Sequence, residues 1–157
     1  MAATRPSRPV GSAWPPGHGE AWMGLLETHR RLTRALDGEL DARHGLTLST
    51  LELLARLAAA PGRCLRLSGL AAETGLSLSR ISRIAVLLER RGLIDRTPCP
   101  ADARAVEAHL TPDGLALLRA AQETQADLVG QLFLDVLSET ELRVLADVFG
   151  RLSRRAR

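Results

Sequence analysis

Short polar and cationic side chains cluster in one short stretch of this sequence. Between residues 77 and 83 the chain carries Ser77, Ser79, Arg80, Ser82 and Arg83. Arginine pairs with guanine edges and with phosphates, and serine bonds to either base edges or phosphates. The stretch therefore has the chemistry needed to contact the major groove of double-stranded DNA.

A helix over residues 77–92 is predicted to present these side chains. At about 100° per residue, its outer face carries Ser79, Ser82, Arg83, Val86 and Arg90, with Arg80 on its flank. Gly75 supplies a left-handed turn between this helix and a short helix before it, which is the pattern of a helix-turn-helix. Five residues are predicted to lie on the buried side: Ser77, Ile81, Ile84, Ala85 and Leu88.

A hairpin follows this helix in the sequence. Strands are predicted over residues 93–96 and 105–110, around a loop at 98–104. Arg104 near the tip could insert its guanidinium into a narrow minor groove, and Asp102 would orient Arg104 or pair with an arginine of the preceding helix. The alternative for all these arginines is a solvated surface position or a surface ion pair, which contributes little to stability.

The N-terminal part of the chain is predicted to be an extended arm followed by helices. Residues 1–19 hold four of the eight prolines and three of the thirteen glycines, which disfavour regular hydrogen bonding. An apolar stripe at three- and four-residue steps then predicts a helix over residues 20–45. A second helix begins at Thr47 or at Ser49, since Ser49 and Glu52 are spaced as a capping box.

The remaining elements complete the predicted order. A short strand over residues 65–67 is followed by a brief helix that Ser68 caps. The sequence of residues 111–113, Thr-Pro-Asp, begins a helix after the hairpin, and Ser138 with Glu141 caps a final helix. The order is thus helix, helix, strand, helix, helix, hairpin, helix, helix. This order predicts a mainly α fold with a small β-hairpin wing, built around a winged helix-turn-helix.

The residues of this segment also match a known family pattern. They are Leu70-Ala71, Gly75-Leu76-Ser77, Ser79, Ser82-Arg83, Leu88-Glu89, Gly92-Leu93-Ile94, Arg96, Pro100, Asp102, Arg104, Leu110-Thr111 and Gly114. With them, the chain resembles the multiple antibiotic resistance regulator (MarR) family of bacterial transcription factors. The resemblance implies a DNA-binding region at residues 47–111, flanked by dimerisation helices at 20–46 and 112–157, in one compact domain.

The resemblance extends to the wing. The family's usual wing reads Asp-Arg-Arg, whereas this chain has Asp102-Ala103-Arg104. The second arginine of the family pattern, which usually reaches the minor groove, is therefore present as Arg104. The first arginine is replaced by alanine.

Composition excludes several other classes of protein. The chain has 157 residues, 45% of them hydrophobic, and lacks the ~18 consecutive apolar residues that a membrane helix requires. Its 21 basic residues are all arginine and the net charge is only +3, so nucleic-acid affinity must depend on where the charge lies. No nucleophile elbow, phosphate-binding loop or His-Glu-x-x-His motif is present. We therefore expect a cytoplasmic protein that is not an enzyme and has no cofactor or membrane segment.

The cysteines and histidines give no local metal motif. Cys64 and Cys99 fit no zinc-ligand spacing, and the four histidines are dispersed, so no metal site is predicted. A regulator that responds to zinc or to oxidation remains an alternative. Cys99, expected in an exposed wing close to Arg96, is the thiol that oxidation would reach.

Trp22 and His29 lie seven residues apart on one face of the first predicted helix. Core packing explains this spacing most simply. The family resemblance implies a second possibility, a small aromatic or phenolic effector bound between the dimerisation and DNA-binding parts. The tryptophan ring could stack on such a ligand and the histidine could hydrogen-bond to it.

Taken together, these features predict a homodimeric transcriptional regulator. It is expected to be a repressor that binds a pseudo-palindromic operator and is released from the DNA by a small effector. The final helix supports the dimer with an apolar stripe too wide to remain exposed on a small monomer. This stripe consists of Leu142, Leu145, Val148, Phe149 and Leu152. The alternatives are a winged-helix module that binds protein and a nonspecific architectural DNA binder.

Overall fold

The computed structural model describes residues 14–15, 17–99 and 102–155. Most of the predicted arm, residues 1–19, and the side chain of Arg104 lie outside the described part of the chain. The described residues form helices α1 His18–His44, α2 Leu48–Ala59, α3 Leu67–Thr74, α4 Leu78–Arg90, α5 Pro112–Val129 and α6 Glu139–Arg155, and strands β1 Cys64–Arg66, β2 Ile94–Cys99 and β3 Asp102–Leu110. The predicted mainly α fold with a β-hairpin wing is confirmed.

The chain divides into two compact units, residues 1–35 and residues 36–157. In the first unit, the Trp14 and Trp22 rings meet edge to face with centroids 6.5 Å apart. Glu27 accepts hydrogen bonds from Arg30 and Arg31 one turn later on α1, which stabilises this exposed stretch of helix only slightly.

The core of the second unit is built mainly from leucines of α2, α3 and α4. Helix α2 contributes most, because apolar residues occupy nearly every side of it except the side of Glu52 and Arg56. The largest fully buried side chains are Leu40, Leu46, Leu53, Leu54, Leu57, Leu70, Ile81, Leu88 and Ile94. This core fixes the position of α4 relative to the sheet.

The three strands form an antiparallel sheet in the order β1-β3-β2. Leu65 pairs with Ala108, and this face of the sheet packs against the core. The residues on either side in β1, Cys64 and Arg66, point the other way, because side chains alternate along a strand. The outer face of the sheet is therefore polar.

The capping of two helices differs from the prediction. Helix α2 is capped by Thr47, and Thr50 rather than Glu52 completes the box, with its Oγ1 accepting from the Thr47 N–H at 2.7 Å. The helix begins two residues before Ser49 would allow, so Thr50 occupies the third helical position. Ser68 caps nothing, since α3 begins at Leu67 directly after the last strand-paired residue, Arg66.

The two C-terminal helices, α5 and α6, begin as predicted, but α5 is interrupted at Val129. Thr111 caps α5 by accepting from the Gly114 N–H at 3.0 Å, and Ser138 and Glu141 form the predicted capping box of α6. The helix predicted to begin at residues 111–113 ends at Val129 and continues as a wider turn, Gly130–Leu134. Within the described residues, no helix is both long and apolar enough to cross a membrane.

Candidate nucleic-acid interface

Helices α3 and α4 are joined by the predicted tight turn. Gly75 has a φ of +70°, which is the left-handed conformation that glycine adopts without steric cost. Ser77 then caps α4, and its Oγ accepts from the Arg80 N–H at 3.3 Å. The helix-turn-helix predicted from these two residues is confirmed.

The buried side of α4 agrees with the periodicity except at its first residue. Ile81, Ala85 and Leu88 are fully buried, and Ile84 is half-buried. Ser77 was predicted on the buried side and is exposed, so this prediction is wrong. As the capping residue, Ser77 precedes the helix proper, and its hydroxyl lies 3.1 Å from the Ser79 hydroxyl at the surface.

The outer face of α4 presents the predicted cationic side chains. Ser79, Arg80 and Arg83 are exposed near the start of the helix. Arg80 donates from Nη2 to Ser49 Oγ at 3.1 Å, which directs it toward α2. Within the described part of the chain, no hydrogen bond or ion pair involves the Arg83 side chain. Of the two arginines near the start of α4, Arg83 is therefore the one available to a ligand.

Ser82 lies in a cleft between the two helices and the hairpin. It is half-buried, and it lines a cleft of about 300 Å³ together with Leu67, Ser68, Leu78, Asp102, Ala105 and Val106. The cleft brings Ser82 and Asp102 to the same region. Ser82 therefore faces the wing more than the outermost surface of α4.

The wing is longer than predicted. Strand β2 continues to Cys99 and β3 begins at Asp102, with an irregular register between Pro98 and Cys99. Pro98 does not stop β2, because β2 is an edge strand and proline is tolerated where no ladder hydrogen bond is lost. Asp102 is exposed at the tip, and the predicted role of Arg104 concerns a side chain outside the described part.

An ion pair that the sequence interpretation did not assign joins the wing to α4. Arg96 in β2 donates to Glu89 Oε2 from Nε at 2.9 Å and from Nη2 at 2.7 Å. The hydrogen bond and charge of Arg96 hold the pKa of Glu89 below its usual value. The spacing of the two residues in the sequence does not reveal this contact, because they meet only where β2 folds back along α4.

A second unassigned contact involves the residue after α4. Arg91 donates to the carbonyl oxygens of His44 and Gly45, at 2.8 and 2.5 Å, just beyond the last turn of α1. A cation at this end of a helix satisfies carbonyls that have no partner in the helix. Arg91 thus links the end of α4 to the end of α1.

The two residues predicted for an effector pocket are both exposed. Trp22 is 47% exposed and contacts Trp14, and His29 is exposed on α1. A separate open groove of about 400 Å³ lies between α2 and α5 and is lined by Leu48, Leu51, Glu52, Ala55, Gln122 and Gln125. Neither Trp22 nor His29 lines this groove or the cleft at the wing.

Cys99 is not exposed as predicted. Only 4% of it is accessible, and it lies at the end of β2 against the side chain of Arg66. Its cationic neighbour is Arg66, whose Nη2 lies 3.1 Å from Sγ, and not Arg96. Cys64 is half-buried, and burial together with the Glu107 carboxylate raises the pKa of its thiol.

The turn, the exposed face of α4 and the hairpin define a winged helix-turn-helix protein. Residues 44–105, which contain the turn, α4, β2 and the start of β3, match the model of the MarR family. Over this segment the chain matches the MarR family, as the sequence predicted. The solved structures compared below are of transcriptional regulators, not enzymes. They agree with the prediction that this protein is not an enzyme.

Solved structures share the fold over nearly the whole chain. Sco3205, a MarR family transcriptional regulator from Streptomyces coelicolor in complex with DNA, is 28% identical, with a TM-score of 0.85 over 92% of this chain and 94% of its own. AbsC, a MarR family transcriptional regulator from the same organism, is 29% identical, with a TM-score of 0.83 over 93% and 98%. A mutant of E. coli MarR complexed with operator DNA shares the fold at 21% identity and a TM-score of 0.74, over 85% and 93%. No curated protein sequence matches the chain.

Proposed function

We propose that this protein is a cytoplasmic, homodimeric transcriptional regulator that binds a specific double-stranded operator through α4 and the wing. The observation that carries the proposal is the exposed Arg83 beside Ser79 and Arg80, in the half of α4 nearest the wing tip. The similarity to Sco3205, which was solved in complex with DNA, supports DNA binding by this chain. The proposed role is repression, relieved by a small effector.

In this proposal α4 enters the major groove with its N-terminal half. Arg83 reaches a base edge or an adjacent phosphate, and Ser77 and Ser79 at the helix start bond to phosphates or base edges. Arg80 and Ser82 sit beside this contact, Arg80 toward α2 and Ser82 toward the wing. Sequence recognition depends on a few side chains at one helix end, so single substitutions should separate specific from nonspecific binding.

The wing completes each half-site. Arg104 is proposed to enter the minor groove, where a narrow A·T-rich segment concentrates negative potential. Asp102 supports the tip. A twofold dimer then contacts a pseudo-palindrome, with half-sites about 10 bp apart and one α4 in each major groove.

The test of specific recognition is competition binding with two arginine variants. The operator is first selected from random duplex DNA with the wild-type protein. Arg83→Ala should weaken operator binding by about 1–3 kcal/mol and binding to a scrambled duplex by far less, because a base contact is lost. Arg104→Ala should lose most affinity on operators whose flanking minor groove is A·T-rich.

The control is Arg119→Ala, which removes one exposed arginine from α5 and should leave operator binding nearly unchanged. All measurements are made at one salt concentration, since phosphate contacts depend on salt. Equal losses on operator and scrambled DNA for Arg83→Ala and Arg104→Ala would contradict specific recognition and favour an architectural DNA binder. No loss on either duplex would favour a module that binds protein.

The proposed effector is a small aromatic or phenolic compound that binds near Trp22 and His29. In a Trp14→Phe variant, Trp22 is the remaining tryptophan, so phenolic acids should quench its fluorescence and weaken operator binding together. Operator DNA should weaken ligand binding by the same factor, because coupling between two sites is reciprocal. His29→Gln should reduce both effects. A panel of aromatic acids that leaves operator affinity unchanged would contradict this part of the proposal.

A further inference from the structure

The outer face of the sheet brings together three side chains of the types that bind metal ions. Cys64 in β1 lies directly opposite His109 in β3, and Glu107 lies two residues before His109 on the same face. The Cys64 Sγ atom is 3.6 Å from His109 Nε2 and 3.8 Å from Glu107 Oε2. All three donor atoms lie within 4.8 Å of one another.

These separations are those of neighbouring ligands around one small tetrahedral ion. Zinc binds sulfur at about 2.3 Å and nitrogen or oxygen at about 2.1 Å, so tetrahedral ligand atoms lie about 3.6 Å apart. Thiolate, imidazole and carboxylate are also the three donor types that zinc takes from proteins. We propose that Cys64, Glu107 and His109 form a zinc site on the outer face of the sheet.

The surrounding groups fit this assignment. The Arg66 Nε atom lies 3.8 Å from Glu107 Oε1. The other carboxylate oxygen, Oε2, is directed at Cys64 and is available to an ion. The arginine would thus orient the carboxylate from behind, as partners of metal ligands commonly do. Thr97 Oγ1 lies 3.0 Å from His109 Nε2, and the ion would replace this hydrogen bond.

A fourth ligand is also within reach of the same face. Asp95 in β2 pairs with His109 in the sheet register and is exposed. Opposed side chains in an antiparallel pair lie about 5 Å apart at Cβ, so either Asp95 or a water molecule can complete four-coordination. Three ligands come from β1 and β3, and the ion would hold the short strand β1 to the stem of the wing.

Titration of the full-length chain with zinc tests the site without any DNA. The protein is reduced with a phosphine, freed of metal and titrated with zinc alone, and we expect one equivalent to bind per chain. Cobalt in place of zinc should give thiolate-to-cobalt charge-transfer absorption. Cys64→Ser and His109→Gln should each weaken binding at least about 100-fold, since loss of even an outer partner of a ligand costs about 10–100-fold.

Matched controls change the other residues of the same types. Cys99→Ser removes the second thiol and His18→Gln an exposed histidine at the start of α1, and both should bind zinc as the wild type does. A wild-type protein that binds no zinc saturably, or Cys64→Ser and His109→Gln proteins that bind it with unchanged affinity, would overturn the proposal. Because binding is measured apart from DNA, these outcomes are distinct from failure of the proposed regulator function.

A chemical measurement keeps the proposal testable if the ligand variants do not fold. In Cys99→Ser, Cys64 is the remaining thiol, and zinc should slow its alkylation by at least about tenfold, since an ion bound to sulfur blocks the nucleophile. The same addition of magnesium should have no effect, because magnesium prefers oxygen ligands. Alkylation of Cys64 at the same rate with and without zinc would show that no ion binds there.

Discussion

Gly114→Ala is expected to destabilise the protein by about 3 kcal/mol, the upper end of the usual range for overpacking. A Cβ atom at Gly114 would lie 2.0 Å from the Leu93 carbonyl oxygen and 2.8 Å from Leu110 Cδ1. Leu93 O is a backbone atom that also accepts from the Thr111 N–H at 3.2 Å, so it cannot rotate away as a side chain would. Relief would require α5 to move away from the residues that join α4 to β2.

Urea unfolding at one fixed protein concentration measures this loss, with Gly38→Ala as the matched control. Gly38 lies in α1, and no atom lies within 4 Å of a Cβ built on it. The same chemical change there should be neutral or stabilise by up to about 1 kcal/mol, because alanine favours the helix. Equal unfolding midpoints for the two variants would contradict the steric argument.

The paired substitution Phe149→Glu and Leu152→Glu is expected to convert a dimer into monomers. Phe149 is 41% exposed and Leu152 is 51% exposed, and no residue of α6 is buried in the single chain. Leu142, Leu145 and Val148 extend the same stripe and are half-buried. An apolar face of this extent is typical of a large obligate interface, and two carboxylates within it would remain without partners.

Light scattering at micromolar concentration distinguishes the two states. Arg143→Glu is the charge-matched control, since it changes the net charge by two units and lies on the opposite side of α6 from the stripe. Replacing one arginine by glutamate removes one positive charge and adds one negative charge, so the net change equals that of the two added glutamates. This control should remain dimeric. A wild-type protein that is monomeric at micromolar concentration would contradict the proposed assembly.

The helix-turn-helix could be predicted because its signals are local. The left-handed turn is predicted from Gly75 alone, and the start of α4 from Ser77 alone. The buried side of α4 is predicted from the spacing of its own apolar residues. Thr111 and Ser138 cap their helices for the same reason. The capping box of α2 was misassigned to Ser49 and Glu52 because Thr47 and Ser49 are both capping residues, and the choice between them depends on how the chain leaves α1 through Gly45.

The features that escaped prediction depend on pairing between distant segments. The Cys64 cluster exists because β1 and β3 pair in one register, across 45 residues between Cys64 and His109. The burial of Cys99 follows from the extension of β2 through Pro98, which local rules would end earlier. Arg96 and Glu89 meet because α4 and β2 fold back on each other, and a sequence period does not describe such a turn.

The double hydrogen bond between Arg96 and Glu89 has a consequence for the geometry of DNA contacts. It fastens the stem of the wing to the last turns of α4, on the opposite end of the helix from Arg83. In the proposed complex with DNA, this contact limits movement of the wing relative to α4, and so limits variation in the spacing between the base pairs under α4 and those under the wing tip. In the proposed dimer, the separation between protomers can still vary. Operators with an insertion at their centre can then be accommodated by relative movement of the protomers, whereas an insertion inside a half-site cannot.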